Sequence, residues 1–549
     1  MTAPVSRLCR VAARPVIGVT LLASALALID LGRRILATND EARFPLLAQD
    51  MIGRGDWFFP RLNGVVYHAK PLLQAWLIAL FSWPGGRVTQ LTAVLPSALA
   101  GIATAVVIYA LGEDMFGVDA GRFAALIAIT TQGWFLHSRL PMPDMLLTLA
   151  LTGSLGMFWR MTQRRPGRPW LGFYTLVAAG FWAKGAAGLI PLIAVLIHAV
   201  ATRRDGRWRD LRLGRGLLVV AVLIAPWCIR ELSGDTGALH TVVVDDNLGW
   251  YLPRSLTTAL VYGPLRHVVG VMFPWVLLLP AVVWQSARAL RGRGAEREAV
   301  STLALWSLVL LASVGISEQQ RLRYYAPLVP PVSLLTGWWC ARAAAERQTL
   351  AEVPRWIYGV AAGLLALATA ATFVFRPAWA RAAEVLVLGS AVEMAVMGAG
   401  LLIMVGVLTR GMHRQLTGWT FGIAWVGAAM WVGAWYHEDL SRRNMAYDYP
   451  RLHAEVARIL PDTRVVATWG VNELPFSFYF DQPVASIATD ADLDRVMAQN
   501  PGAGAVLTGA ALAQLLDRAR FQVLPLDRLN FDSIVLVTSS DVARAPAQP

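Results

Sequence analysis

The sequence predicts a polytopic α-helical membrane protein with a small soluble α/β domain at its C-terminal end. Three observations carry that expectation. Of 549 residues, 56% are hydrophobic and only 15% are charged, with a mean hydropathy of +0.49, whereas soluble domains carry about 25% charge. About thirteen apolar runs approach or reach the length needed to cross a bilayer as a helix, which is roughly 17–25 residues. Near residue 441 the texture changes from long apolar runs to short β-rich ones.

The first run, 15–36, is long, and "LGRRILATNDEAR" after it lacks a small-residue cleavage pattern, so a retained first helix is expected. In the following loop, 37–87, Thr38 with Glu41 three residues later fits a capping box. Phe44, Leu47, Ala48 and Met51 then fall on one face of a short helix, which is expected to lie flat on the membrane. "GRGDWFFPRLNG" is a turn-rich connector with interfacial aromatics. The segment 71–83 is too short to span and is expected at the interface. The remaining candidate spans are 88–112, 119–136, 143–160, 169–183, 185–201, 214–230, 262–286, 299–316, 324–343, 354–375, 382–408 and 416–437. Between them, 161–169 and 287–298 read as solvated turns, and 231–261 as a second long loop. Beyond 441, "RVVATWG", "AGAVLTG", "FQVLPLD" and "DSIVLVTSS" read as strands, and "DADLDRVMAQN" and "AALAQLLDRA" as amphipathic helices. Strands alternating with helices suggest an α/β domain. It has no Gly-rich phosphate loop, so a shaping or capping role is expected.

A net charge of +13 and a pI of about 10.2 raise the prospect of nucleic acid, but the distribution of charge argues against it. With the N-terminus inside, the segments 1–14, 160–169, 202–215, 287–298, 341–355 and 409–416 carry 22 Lys and Arg. The opposite short loops 137–142, 184–188, 317–323 and 376–381 carry 6. This is the positive-inside bias, and an odd number of spans then puts the C-terminus outside. Cys9, Cys228 and Cys340 lie in or near apolar segments, without metal-ligand spacing and without a disulfide framework.

Only two of the 49 basic residues are lysine, Lys70 in "VVYHAKPLL" and Lys184 in "FWAKGAAGL". Both stand at the outer ends of apolar stretches. The same level collects Asp40, Glu41 and His68 from the first loop, His137, Arg139 and Asp144 from "HSRLPMPDMLL", and Asp245, Asp246, Asn247 and Arg254 from the second loop. His267 lies just beyond that loop, and "SEQQRLRYYAPLVPP" adds Glu318, Arg321, Arg323, Tyr324 and Tyr325. Each has a plainer role open to it: a helix cap for Asp40 or Asp144, a snorkelling chain for Lys184, a packed acid for Glu393. Their convergence on one face points to a functional site, because ionisable groups near hydrocarbon are costly. Cations there suit a phosphate, with Lys as a point charge and Arg as a planar fork. Paired carboxylates can orient or deprotonate a hydroxyl, or steady charge on a sugar.

The stretch "TNDEARFPLLAQDMIGRGDWFFPRLNGVVYHAKPLLQAWL" resembles the first external loop of the C-type (GT-C fold) membrane glycosyltransferases. The group in question contains the ArnT-like lipid A aminoarabinose transferases and, more distantly, the protein O-mannosyltransferases of glycosyltransferase family 39. The acidic pair Asp40–Glu41, the "RLNG" turn and the aromatic-x-x-Lys-Pro pattern at 67–71 align in order. "SRLPMPDMLLT", "AKGAAGLIPL", "RLRYYAPLVPPVSLL" and "VNELPFSFYFDQPV" resemble later motifs, so the likeness runs over nearly the whole chain.

The resemblance implies a GT-C fold with residues 1–440 as the transmembrane catalytic domain and 441–549 as a periplasmic domain. It implies transfer of a sugar from a polyprenyl (undecaprenyl) phosphate to a lipid A, lipopolysaccharide or other envelope acceptor, with inversion. Asp40 would be the principal catalytic carboxylate and Asp144 a second. Lys70 would hold the donor phosphate with Arg323, Tyr325, Arg254 and Lys184, and Glu41, Tyr67, His68 and Arg321 would line the substrate. No cofactor is required by the resemblance, and a divalent cation at the acidic pair stays open. A monomer in the bacterial inner membrane is expected, with the active site periplasmic. The aminoarabinose transferases carry Glu before the loop lysine where this chain has Ala69, and Trp250 stands where an Arg often follows. The sugar therefore stays open among a hexose, a uronic acid and an aminopentose. Two further readings remain, a protein O-glycosyltransferase and, from another class, a lipid or solute transporter or flippase. The latter predicts pseudo-symmetric halves and helices broken near the midplane; no internal repeat is found, and the charges gather at one face.

Overall fold

The computed structural model describes residues 5–232, 259–317, 320–345, 356, 359–360, 363–364, 367, 389–413, 418–459, 464–530 and 532–539. Most of the second loop, most of the predicted span 354–375 and the first seven residues of 382–408 lie outside the described residues. The chain divides into two compact units.

The first unit comprises Met1–Ile29, His68–Gln74 and Pro96–His437 and is helical. Among the described residues, Gln90–Phe116, Pro169–Ala201, Arg207–Glu231 and Ala295–Gly315 are long and apolar enough to cross a membrane. Tyr262–Met272 and Trp275–Ala289 form a further, broken stretch bent by 111°. Several predicted runs are interrupted for visible local reasons. The run 119–136 splits into helices Val118–Ile129 and Gln132–His137, because Thr131 turns extended and its hydroxyl accepts the Trp134 N–H as an N-cap. The stretch Pro169–Ala201 folds back at the 3₁₀ turn Gly185–Leu189. Phe173 and His198, one from each arm, both pack on Phe158, at 6.3 and 5.3 Å between ring centroids. Small residues let helices approach closely: a Cβ on Gly337 of helix Val329–Ala345 would lie 2.4 Å from Ala124 N in helix Val118–Ile129.

The second unit comprises Asp30–Tyr67, Ala75–Leu95 and Glu438–Pro549. The division drawn from sequence texture, at 440/441, differs from this partition because it assigns the first loop to the membrane part. The sheet's strands are β3 Val465–Trp469, β4 Ala485–Ser486, β5 Gly504–Thr508, β6 Phe521–Pro525 and β7 Ile534–Ser539, after a β1 Arg61–Leu62 and β2 Val65–Val66 hairpin. Their order is β4-β3-β5-β7-β6, with β3 parallel to β4 and β5, and β7 antiparallel to β5 and β6. Both faces are covered, so the strands read as nearly unbroken apolar runs. Val506, Ile534 and Leu536 join Tyr449, Leu452 and Phe476 on one side. Ala505, Leu507 and Val537 join Leu493, Met497 and Trp469 on the other.

The first loop is built as its residues dictate. Thr38 caps helix Asn39–Arg54 by accepting the Glu41 N–H, and Glu41 Oε2 reaches back to the Ala37 N–H at 2.8 Å. Phe44, Leu47, Ala48 and Met51 form one face, and that face is buried in protein rather than laid on lipid. The helix start is tied to helix Glu473–Tyr479, since Asn39 donates to Glu473 Oε2 at 2.9 Å and its Oδ1 accepts the Leu474 N–H at 3.1 Å. Asn63 and Gly64 take φ of 50° and 85° to turn the β1–β2 hairpin. The predicted helix over "AALAQLLDRA" is instead one turn, Gly509–Leu512, followed by a bend at Asp517, whose side chain accepts the Ala519 N–H.

Candidate functional site

In the helical unit the structure brings together Asp144, Lys184, Arg323 and Tyr324. Asp144 opens helix Asp144–Thr162 behind Pro143, is buried, and is ion-paired with Lys184. Lys184 ends helix Pro169–Lys184. The next residue, Gly185, has φ 61° and ψ −136°, a conformation that side chains resist. A Cβ on Gly188 would lie 2.0 Å from Phe181 N, so only glycine lets the chain press back onto its own helix. The "KGAAG" sequence is therefore a fold-back that leaves the ammonium at its corner. The Lys184 Nζ lies 4.3 Å from the centroid of the Tyr324 ring, and Arg323 Cζ lies 5.4 Å from the same ring. Arg323 also reaches Met142 Sδ at 3.7 Å. Lys184 and Tyr324 contribute to a small cavity whose other walls are apolar, among them Leu147, Leu151, Ile190, Leu310 and Val314. One ammonium, paired with a carboxylate behind it, thus stands on the wall of an otherwise apolar cavity.

A second cluster in the same unit joins the loop to the end of helix Leu213–Leu232. His68 Nδ1 lies 2.7 Å from Glu231 Oε2, and Arg230 donates to Glu231 Oε1 at 2.6 Å. Lys70 follows two residues on, half-buried. Tyr325 is fully buried; its hydroxyl donates to Gln320 Oε1 at 3.0 Å, and its ring stacks on His267 at 5.1 Å and 3°. Tyr324, the neighbouring residue, is the tyrosine beside the cations. His137 is buried with Nδ1 2.6 Å from Gly133 O. Arg139, expected to face outward, is buried instead: it bonds to the carbonyls of Phe135 and Leu26, and its guanidinium lies 3.7 Å from the Phe135 ring centroid and 4.8 Å from that of Tyr436. Glu393, read as a packed acid, pairs with His437 at 2.8 Å. Arg321 is exposed at the start of the 3₁₀ helix Leu322–Leu328.

The other expected residues belong to the second unit. Asp40 pairs with Arg43 at 3.2 Å. Glu41, expected at the substrate, is buried with both oxygens engaged: Oε2 by the Ala37 N–H and Oε1 by Arg443 at 3.3 Å. Arg34 extends the network, reaching Glu41 at 4.0 Å and donating to Asp439 at 2.8 Å. The Glu41 carboxylate is aimed back at the backbone that precedes its own helix. Tyr67 is buried, and its N–H donates to Pro60 O at 3.0 Å. Arg254, like Asp245, Asp246, Asn247 and Glu318, lies outside the described residues. Among the described residues no three His, Cys, Asp or Glu side chains converge as metal ligands.

Sequence reasoning missed Glu231, Arg230 and Arg34. The signal for Glu231 was a carboxylate in the last turn of an otherwise apolar span, directly after an arginine.

Comparison with known proteins decides the fold. A family model described as dolichyl-phosphate-mannose-protein mannosyltransferase matches residues 69–229, a stretch holding Lys70, Asp144 and Lys184. An undecaprenyl phosphate-alpha-4-amino-4-deoxy-L-arabinose arabinosyl transferase of Pectobacterium atrosepticum is 27% identical over 366 residues, 64% of this chain. The match spans 64% of that relative's length. The crystal structure of ArnT from Cupriavidus metallidurans in the apo state superposes with a TM-score of 0.73 at 20% identity, covering 98% of this chain and 100% of that one. The same protein bound to undecaprenyl phosphate gives 0.71 at 19% identity, covering 97% and 99%.

The chain has the ArnT-like GT-C fold. GT-C architecture accounts for a many-helix membrane part, and the coverage reaches the C-terminal sheet as well as the helices. It makes the protein a multi-pass membrane protein, and the Lys184–Asp144 corner a feature of a GT-C helical unit.

Proposed function

We propose that the chain is a glycosyltransferase that moves a sugar from a polyprenyl (undecaprenyl) phosphate to an acceptor in the periplasm, a lipid A, lipopolysaccharide or other envelope glycan. The observation that carries this reading is Lys184, paired with Asp144, on the wall of an apolar cavity beside Tyr324, with Arg323 against the same ring. A lipid phosphate needs both halves of that arrangement. Breaking a sugar–phosphate bond concentrates negative charge on the leaving phosphate, and fixed cations in a water-poor site steady it far better than water does.

In this reading Lys70 grips the donor phosphate, with Arg323, Lys184 and Arg254 completing the charge field. Asp40 steadies the positive charge that develops on the sugar. Asp144 holds Lys184 at its corner and orients the reacting groups. The site is periplasmic, in a bacterial inner-membrane protein with about thirteen spans and a cytoplasmic N-terminus, which is the orientation its Lys and Arg distribution favours.

The test is reconstitution of the full chain with polyprenyl-phosphate sugars, together with mass spectrometry of envelope glycolipids and glycoproteins from cells with and without the gene. A sugar-sized mass difference on a glycolipid, lost with Asp40→Asn and Lys70→Ala, is expected. A difference confined to protein would redirect the acceptor to polypeptide. Unchanged sugar transfer in both variants would refute the assigned roles, and no difference in any glycoconjugate would overturn the reading.

A further inference from the structure

Transfer to a hydroxyl needs a place for the hydroxyl's proton. The two acids expected to do chemistry both spend their charge on a cation: Asp144 on Lys184, Asp40 on Arg43. A carboxylate so neutralised is a weaker proton acceptor. The helical unit offers another arrangement. His68 Nδ1 sits 2.7 Å from Glu231 Oε2. A carboxylate can only accept, so Nδ1 carries a hydrogen, and in the neutral form of the ring the lone pair is on Nε2. Among the described residues Nε2 makes no hydrogen bond.

Glu231 is held from two sides. Its Oε1 accepts from Arg230 at 2.6 Å, and its side chain is 0% exposed, whereas that of His68 is 26% exposed. The arginine holds one oxygen of Glu231, and the other, facing Nδ1, fixes the direction of the imidazole. A carboxylate that orients a histidine whose far nitrogen is open is the general arrangement of a proton-accepting pair. Lys70, the lysine assigned to the phosphate, stands two residues from His68.

We infer that His68 is the catalytic base of this chain and Glu231 its positioning residue. The inference rests on the transferase reading above and deepens it. As the acceptor oxygen forms its bond to the anomeric carbon, its hydrogen passes to His68 Nε2. The bond from the anomeric carbon to the phosphate oxygen breaks, and its electron pair leaves with the polyprenyl phosphate. The imidazolium, facing Glu231 with Arg230 behind it and Lys70 nearby, then returns its proton to solvent.

The experiment measures initial rates of sugar transfer by the full-length, detergent-solubilised chain from pH 5 to 9. Wild type, His68→Gln, His68→Gly and Glu231→Gln are compared, each checked for unaltered gel-filtration elution and thermal transition. His68→Gln should lose about 10²–10⁴-fold in kcat, the usual worth of a positioned base, with little change in donor KM. His68→Gly should recover activity with added imidazole, in proportion to the free-base fraction. Glu231→Gln should move the acid limb of the profile to lower pH, since removing the negative partner disfavours the imidazolium; a variant that fails to fold leaves the two His68 variants to decide. A wild type that transfers sugar while His68→Gln stays within threefold of it, with the same acid limb, overturns the inference alone. A wild type that transfers nothing from a polyprenyl phosphate donor overturns the reading beneath it and this inference together.

Discussion

Lys184 and Asp144 are 40 residues apart in sequence and meet in a buried ion pair, the ammonium at the end of one helix and the carboxylate at the start of another. Each would be costly in that place without the other. Removing one partner of a buried pair typically costs about 3–5 kcal/mol, because the remaining charge stays buried and unpaired, whereas removing both is often close to neutral. Lys184→Ala should therefore lower the thermal transition of the solubilised protein sharply, and Asp144→Asn/Lys184→Met should recover most of that loss. If the ammonium also serves a lipid phosphate, the recovered double variant stays impaired in transfer. A stable and fully active double variant would reduce the pair to a structural tie.

The corner that presents Lys184 depends on Gly188. With a Cβ 2.0 Å from Phe181 N, even alanine must push the fold-back away from its helix. Forced overpacking of this kind costs about 1–3 kcal/mol. Gly188→Ala should lower stability by that order and also lower transfer, since Lys184 and Asp144 would no longer meet in register. Thermal unfolding and transfer rate on the same preparation check this; wild-type values for both would show the turn has slack.

How much of this was legible in the sequence depended on the distance between partners. Thr38 and Glu41 sit three residues apart, and the capping arrangement they spell is formed. The strands Val465–Trp469, Gly504–Thr508, Phe521–Pro525 and Ile534–Ser539 fall within the runs read as β, because turn residues bound each one. The helix expected over 510–519 was misread. Its leucine spacing was right, but Leu515 is drawn into the sheet's core, Leu516 is left exposed, and Arg520 is pulled onto Asp490 and Asp494. Glu231 stood out only as a carboxylate in an apolar span; its pairing could not be read, because its partner His68 is 163 residues away. Local rules write elements; long-range charge pairing writes the site.

Arg323 and Tyr324 form the other side of the Lys184 corner, the guanidinium 5.4 Å and the ammonium 4.3 Å from the same ring. If this is the phosphate end of a lipid-binding cavity, Arg323→Ala should weaken binding of polyprenyl phosphate about tenfold, which is about 1.4 kcal/mol. Tyr324→Leu keeps the apolar bulk but removes the aromatic face, and should weaken binding less. Titration of intrinsic tryptophan fluorescence with polyprenyl phosphate measures both, with the uncharged polyprenol as control. Equal loss for alcohol and phosphate would mean that the cavity reads the chain and not the charge.

The last prediction concerns Asp439, beyond the apolar run 416–437 in helix Gly418–Ala446. Burial pushes its carboxyl upward, but the attraction of Arg34, which also donates to it at 2.8 Å, together with that of Arg443 and Arg442, outweighs burial and holds it below its ordinary value. A carboxyl lowered by folding binds its proton less readily in the folded chain than in the unfolded one. Its stabilisation is therefore complete above the unfolded value of about 3.9 and is lost as pH falls through the lower folded value. The thermal transition should lose this contribution progressively below about pH 4, where the network of Arg34, Glu41, Asp439 and Arg443 gives up a charge. Asp439→Asn should lower the transition at pH 7, since Arg34 loses its 2.8 Å carboxylate partner, and should flatten the acid fall. Unfolding followed by intrinsic fluorescence between pH 3 and 7 reads both effects. An acid fall as steep in the variant as in the wild type would assign the pH dependence to other carboxylates and leave Asp439 a spectator.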